Sequence, residues 1–440
     1  MPRPILPSLL TTTSSIITPF SASFIMATSS EQAVGGRPRG PSISIPPIEP
    51  SAYPSAVVVV TQAASFPGLH VVRELLSLKA HVRAVVASQD EANDVADAFV
   101  GMGQALRILL VPDPWVPGRF DDIIKGSSHL VHFVSPRECS YHGNAELDML
   151  TPAVEGSCSI LQSAIRAGGL EWVALVSSVT ALGDYRLSPT EDLTRQAAGK
   201  VRGAGEAHML FAACNAMAEQ ACWQIWETHR LQSDKPDVFG MTSLLPVNIC
   251  GPEVVPRAMR DDNLKLFHAV QGRYMGGEDR GFWVDVRDVA MAACEALFGD
   301  ISATNGRRYI LSAGQAWLPE LGAMIRMEKG IPLPDIDISL ASSSLRTSAS
   351  TLSAAPGSDT HATSSEPATP TDPHTLHNLD VGPSIHDLEV VYGSLDFAVR
   401  DTFDQLRGTE WGERLGIVDR RGGNGRNNRS SMPTEGEGRP

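Results

Sequence analysis

The chain has 440 residues, 42% hydrophobic and 20% charged, enough for one large domain or two ordinary ones with a real core. Its 36 basic and 50 acidic side chains give a formal net charge of −14, which argues against an electrostatic nucleic-acid footprint. No apolar run reaches the roughly 18 residues of a transmembrane helix, so no membrane span is expected.

The six cysteines (Cys139, Cys158, Cys214, Cys222, Cys250, Cys294) form no C-x-x-C pair and have no histidine at zinc-ligand spacing. They read as reduced thiols of an intracellular protein without a metal site. Residues 1–54 are rich in Pro, Ser and Gly without a sustained apolar period, and are expected to form a disordered extension. The first thirty residues carry no acid and only Arg3 as a base. A cytoplasmic location is the expectation, with a mitochondrial transit segment as the alternative and Met26 as a second candidate start.

The fold should begin at Ala56. Val57-Val58-Val59-Val60 is a β-branched run of the kind buried on both faces of a sheet, followed by a turn and a helical pattern through Val71, Val72, Leu75 and Leu76. A strand over 81–86 comes next, then a strand over 106–111, a helix near 120–125, a strand over 130–134 and a helix over 152–167. Gly168-Gly169 stops that helix, and Trp172–Val176 forms the following strand. Residues 338–374 are a Ser/Thr/Ala/Pro tract expected to be a disordered insertion. Beyond it Leu388, Val390 and Val391, then Leu395, Val399, Phe403 and Leu406, recur at helical spacing and predict a last helix packed on the domain. The tail from about 419 to 440 should be frayed.

Strands and helices alternating in this way predict an α/β fold with a doubly wound parallel sheet of Rossmann type, its ligand at the carboxyl ends of the strands. The segments 62–68, 132–136 and 177–180 would then share one rim. The first strand-turn-helix reads Thr61-Gln62-Ala63-Ala64-Ser65-Phe66-Pro67-Gly68. A dinucleotide turn normally has three glycines for a tight turn, close approach to the pyrophosphate and helix packing. Here those places hold Gln62, Ser65 and Gly68, so side chains crowd the approach while the helix N-terminus is retained. The second strand ends in Val86-Ala87-Ser88-Gln89, with neither the acid that would hold a ribose nor the arginine that would hold a 2′-phosphate.

Further segments complete a pattern: Val111-Pro112-Asp113, His132-Phe133-Val134-Ser135-Pro136, Val176-Ser177-Ser178-Val179, residues 246–252 from Pro246 to Pro252, and residues 284–290 from Val284 to Ala290. In order and spacing these resemble the extended short-chain dehydrogenase/reductase family, closest to its dihydroflavonol-reductase-like branch with the fungal aldehyde and ketone reductases. The resemblance covers 56–335 and 388–407. It implies a Rossmann domain over 55–337 and 375–418 with a small substrate-capping region, NADP or NAD as cofactor, and a small carbonyl substrate. It also implies cofactor contacts from Thr61, Ser65, Phe66, Gly68, Asp113, Phe133, Val134, Asn215 and Pro246.

The family's Tyr and Lys, four residues apart on one helix face, protonate the carbonyl oxygen and bind the nicotinamide ribose. Aligning Ala218-Glu219 and Ala221-Cys222-Trp223 with the segment after that lysine places Phe211 at the tyrosine position and Asn215 at the lysine position. Phe has no proton to give, and Asn can hydrogen-bond a ribose hydroxyl without supplying charge. The hydroxyl that polarises the carbonyl falls at Ser178, beside Ser177 and Thr180; His208 and Tyr185 are candidate replacement acids. Three readings stand open: a reductase without the usual pair, a catalytically inactive binding scaffold, and a non-redox dehydratase or isomerase using the same pocket.

Overall fold

The structure, a computed structural model, describes residues 56–136, 146–182, 204–232, 238–255, 259, 261–273, 280–332 and 379–417. The expected extension, the 338–374 insertion, the tail, Tyr185 and the His208 side chain lie outside the described residues. Strands β1 (Val57–Val60), β2 (His81–Val86), β3 (Leu106–Leu110), β4 (His129–Phe133), β5 (Trp172–Val176), β6 (Gly240–Pro246) and β9 (Arg307–Leu311) form a seven-stranded sheet in the order β3-β2-β1-β4-β5-β6-β9. Every pairing in it is parallel. Strand order reverses between β1 and β4, which opens a crevice at their carboxyl ends.

Helices α1 (Phe66–Ser77), α2 (Gln89–Ala98), α3 (Asp121–Ile124), α4 (Thr151–Ala167) and α5 (Ala204–Gln232) connect these strands. The valine run of β1 shows why the sheet is covered on both faces: Val58 and Val60 belong to one apolar cluster and Val59 to the other, all with no exposed surface. On the Val59 side α4 and α5 contribute Ile160, Leu161, Leu210, Cys214, Ala218 and Cys222. Gly240, at the start of β6, is fixed by packing, because a Cβ there would stand 1.8 Å from the Trp172 ring.

A second sheet, in the order β10-β8-β7, was not foreseen from the sequence. It joins β7 (Asn248–Cys250), β8 (Arg280–Asp285) and β10 (Gly314–Trp317). With helices Asp261–Val270, Leu318–Lys329 and Leu395–Asp404 it encloses a third apolar cluster around Phe267, Trp283, Ile325 and Phe403. The last long helix starts only at Leu395. Leu388 and Val390 are buried without being helical, Val391 is 63% exposed, and Glu389 between them has φ +51°, a backbone state that breaks a helical run. Their helical spacing is therefore a coincidence of an irregular segment that packs two of its three apolar residues.

Candidate active site

Three strand ends meet at the crevice. At the end of β1, Gln62 takes φ +46°, the left-handed state for which the first glycine is usual, so the turn keeps its backbone course with a side chain attached. The Gln62 amide then turns to β4, donating to the carbonyls of Phe133 at 3.0 Å and Ser135 at 2.8 Å. Ser65 is the N-cap of α1 and accepts the Gly68 N–H at 3.1 Å, one of the donors a helix start would otherwise offer to a phosphate. The third place keeps glycine for a physical reason, since a Cβ at Gly68 would stand 2.3 Å from the Gln62 carbonyl oxygen. Both replaced glycines thus carry side chains that are tied into the protein instead of standing freely in the groove.

Thr61 and Phe133 sit in this layer but face inward. Phe133 N–H donates to Thr61 Oγ1 at 3.0 Å, and Thr61 Oγ1 lies 2.9 Å from His132 Nδ1. His132 Nε2 is 2.9 Å from Ser157 Oγ, whose hydroxyl donates to the Ala153 carbonyl at 2.5 Å. Only one tautomer satisfies the whole run: Nε2 carries the proton and donates to Ser157, while Nδ1 accepts from Thr61. Burial pushes the His132 pKa down to about 3, so the ring is neutral and the run ties β1, β4 and α4 together.

At the end of β5, Ser178 is half-buried just before a short turn over Val179–Leu182. Its Oγ accepts from Thr180 Oγ1 at 3.0 Å and from Thr180 N at 3.3 Å, and it gives its own proton to no described residue. Asn215 Nδ2 donates to Thr180 Oγ1 at 3.3 Å. Asn215 is fully buried, and its Oδ1 meets no hydrogen-bond partner among the described residues. One turn further along α5, the Glu219 carboxylate accepts from Ser177 Oγ at 2.9 Å, from Trp223 Nε1 at 3.2 Å and from Arg308 at 2.8 and 3.0 Å. This satisfied carboxylate clamps the Asn215 face of the helix onto the β5 rim. Phe211, half-buried, packs against the apolar cluster beneath the sheet.

The remaining expected contacts are more dispersed. Phe66 is buried edge-on to His70, Val134 is buried and donates its N–H to the Val176 carbonyl at 3.0 Å, and Pro246 ends β6 in the core. Asp113 stands with half-exposed surface 3.9 Å from Arg119. One residue escaped the sequence reading: Glu91 Oε2 accepts the Ala87 N–H at 2.7 Å, bringing a carboxylate to the tip of β2. The Ser88-x-x-Glu91 spacing of a capping box was the available signal, and Ser88 Oγ indeed accepts from Glu91 N at 3.3 Å. Among the described residues no group of His, Cys, Asp and Glu could hold a metal ion, and no helix is long and apolar enough to cross a membrane.

No family model matches the chain. Curated proteins do. It is 24% identical over 284 residues to an uncharacterised oxidoreductase of Schizosaccharomyces pombe, covering 62% of this chain and 82% of that protein. It is 27% identical over 275 residues to the ketoreductase azaE of Aspergillus niger, covering 58% and 78%. Across more than half its length the chain is thus similar to oxidoreductases and ketoreductases, the kind of relative that the resemblance to the extended short-chain dehydrogenase/reductase family implies. Among solved structures, the fold is shared with yeast methylglyoxal/isovaleraldehyde reductase Gre2 complexed with NADPH, at TM-score 0.60 and 22% identity over 82% of this chain and all of that one. A Bordetella bronchiseptica enzyme, WbmG, in complex with NAD aligns at TM-score 0.52 and 13% identity, over 84% and 98%.

Proposed function

We propose that this protein is a reductase acting on an aldehyde or ketone of a small organic metabolite with NADH or NADPH, without the family's tyrosine and lysine. The observation that carries the reading is the Ser178 hydroxyl at the carboxyl end of β5, supported by two hydrogen bonds from Thr180 and giving its own proton to no described residue. Such a donor polarises a carbonyl oxygen and stabilises the negative charge that grows on it.

Two features of the chain fit a nicotinamide dinucleotide. The left-handed backbone of Gln62 keeps the course of the turn into α1, and the orphaned Asn215 Oδ1 is an acceptor that a ribose hydroxyl would satisfy. The dinucleotide would supply a hydride to the carbonyl carbon. Asn215 would orient the ribose through a neutral hydrogen bond, which lacks the attraction of an ammonium. Gln62 opposes the fit, since its amide bridges β1 to the Phe133 and Ser135 carbonyls.

Phe211, which has no proton to give where the resemblance expects a tyrosine, favours a second reading, a scaffold that binds a dinucleotide without turnover. Titrating the purified protein with NADH and NADPH, read by fluorescence transfer from its tryptophans, and then assaying an aldehyde and ketone panel separates the two. Binding with turnover supports the reductase, binding without turnover supports the scaffold, and no binding at high concentration removes both. Product identification in the same panel exposes dehydration or isomerisation, which would change the substrate without consuming the dinucleotide.

A further inference from the structure

The hydroxyl chain at the end of β5 has a direction. The Asn215 amide N–H points at Thr180 Oγ1, so the Thr180 oxygen is already an acceptor and its own proton is turned to Ser178. Ser178 Oγ therefore receives the Thr180 hydroxyl and backbone protons, and its remaining proton is aimed away from both. Each link is fixed by structure. Thr180 is held in the turn by its own N–H on Ser178 Oγ, with Ala181 N donating to the Ser178 carbonyl at 2.9 Å. Asn215 is held by α5, whose neighbouring turn is clamped through Glu219 to Ser177 and Arg308.

We propose that Thr180 is a positioning and proton-feeding residue, oriented by Asn215, that takes over through Ser178 the task left vacant by Phe211. The proposal rests on the reductase reading above. With a reduced nicotinamide as the reductant, hydride addition forms a C–H bond, breaks the carbonyl π bond and leaves the electron pair on oxygen. That oxygen takes the Ser178 proton, Ser178 takes the Thr180 proton, and solvent returns one to Thr180, which is only partly buried. The amide of Asn215 stays protonated throughout and sets only the direction.

The test compares wild type with Thr180→Val, Thr180→Ser and Asn215→Asp for dinucleotide affinity by tryptophan fluorescence and for turnover on the carbonyl panel. Thr180→Val, similar in shape but without the hydroxyl, should lose about tenfold or more in kcat, less than the roughly 10²- to 10⁴-fold of a direct proton donor because Thr180 acts through Ser178, with little change in dinucleotide affinity. Thr180→Ser restores the hydroxyl and should recover most of the rate, a rescue that packing alone would not produce. Asn215→Asp offers Thr180 an acceptor in place of a donor, reverses the chain and should also lower kcat. Equal turnover in Thr180→Val and wild type overturns the proposal and leaves the reductase reading standing, as does a Thr180→Ser variant no better than Thr180→Val. If wild type binds a dinucleotide without turnover, the carbonyl stretch of isotope-labelled cyclohexanone added to that complex decides. A lower frequency in wild type than in Thr180→Val supports the polarising chain, while an equal frequency or no bound ketone overturns it. A wild type that binds neither dinucleotide overturns both.

Discussion

Acidification should weaken this fold through two buried imidazoles, and the loss can be assigned residue by residue. His132 is pushed from 6.5 to about 3 by burial, and its neutral ring is the middle of the run from Phe133 N–H to the Ala153 carbonyl. His70 is also pushed to about 3, by burial and by the field of Arg73, which lies 2.6 Å from its Nδ1. Its Nε2 lies 2.8 Å from the Pro252 carbonyl, which joins α1 to the loop after β7. Because both folded pKa values lie below the unfolded one, the stability these rings contribute is complete above about pH 6.5 and is lost as pH falls toward 3. From pH 7 to pH 5 each unfolded imidazole takes up a proton that the folded ring refuses, a loss of about 2 kcal/mol apiece. Asp288 acts the other way. Burial lifts it to about 6, so over the same interval the folded protein takes up a proton the unfolded chain does not, a gain of about 1 kcal/mol. These three groups together give a loss of roughly 2–3 kcal/mol, to which His129, held low by burial, adds and from which Glu295, raised by burial, subtracts. Urea denaturation at the two pH values, on wild type and His132→Gln, reads it directly. The variant should be weaker at pH 7 because the run is cut, yet its pH 7-to-5 difference should shrink by about 2 kcal/mol. An unchanged difference, or a wild type that gains stability at pH 5, refutes the assignment.

Replacing Gln62→Gly and Ser65→Gly should tighten dinucleotide binding by about tenfold, a matter of about 1.4 kcal/mol. Glycine suits the φ +46° backbone and serves as an N-cap at a cost of a few tenths of a kcal/mol, so an unchanged or weaker dissociation constant gives the loop another task. Glu91 at the tip of β2 should make NADH bind better than NADPH, and Glu91→Gln should narrow that gap by removing a charge that repels a 2′-phosphate; equal affinities in wild type dismiss the idea. If Phe211 and Asn215 stand at the tyrosine and lysine positions, Phe211→Tyr with Asn215→Lys should raise carbonyl reduction by about 10²-fold or more, and Ser178→Ala should remove much of that gain. A wild type already as fast as the double variant would show that another acid serves. Limited proteolysis within 338–374 should leave a cooperatively unfolding core, and loss of the transition after such a cut contradicts a dispensable insertion.

The first five strands of the main sheet were legible because most of them are apolar on both faces, whereas β6 and β9 were not read as strands. Val57–Val60, His81–Val86 and Trp172–Val176 were read with the bounds that the structure shows, since valine-rich runs stopped by turns leave little choice of end. The second sheet was missed because its strands are only three to six residues long and mix polar with apolar positions, as in Asn248–Cys250 and Gly314–Trp317. Short strands of this kind are set by what they pack against, here the cluster around Trp283 and Phe403, and the residues that form it are far apart in the chain.

Residue identity told what the site lacks, and geometry told what the replacements do. From the sequence, Gln62 and Ser65 were obstacles; in the structure each forms hydrogen bonds that hold the turn and helix start in the shape glycine would otherwise permit. Thr61 was expected to touch the cofactor, yet its hydroxyl is committed to His132 and Phe133, a partnership between residues about seventy positions apart that no local spacing announces. Asn215 shows the same limit most sharply. As a letter it records a lost charge, whereas its amide proton on Thr180 gives the neighbouring hydroxyls a direction. A lysine there would donate too, but it would bring a positive charge into a position with no exposed surface and no acid among the contacts described for Asn215. Neutral donation at this position is therefore compatible with burial in a way that an unpaired ammonium is not, so restoring the lysine alone should cost stability, and only its pairing with a tyrosine hydroxyl at position 211 supplies the proton that Phe211 cannot.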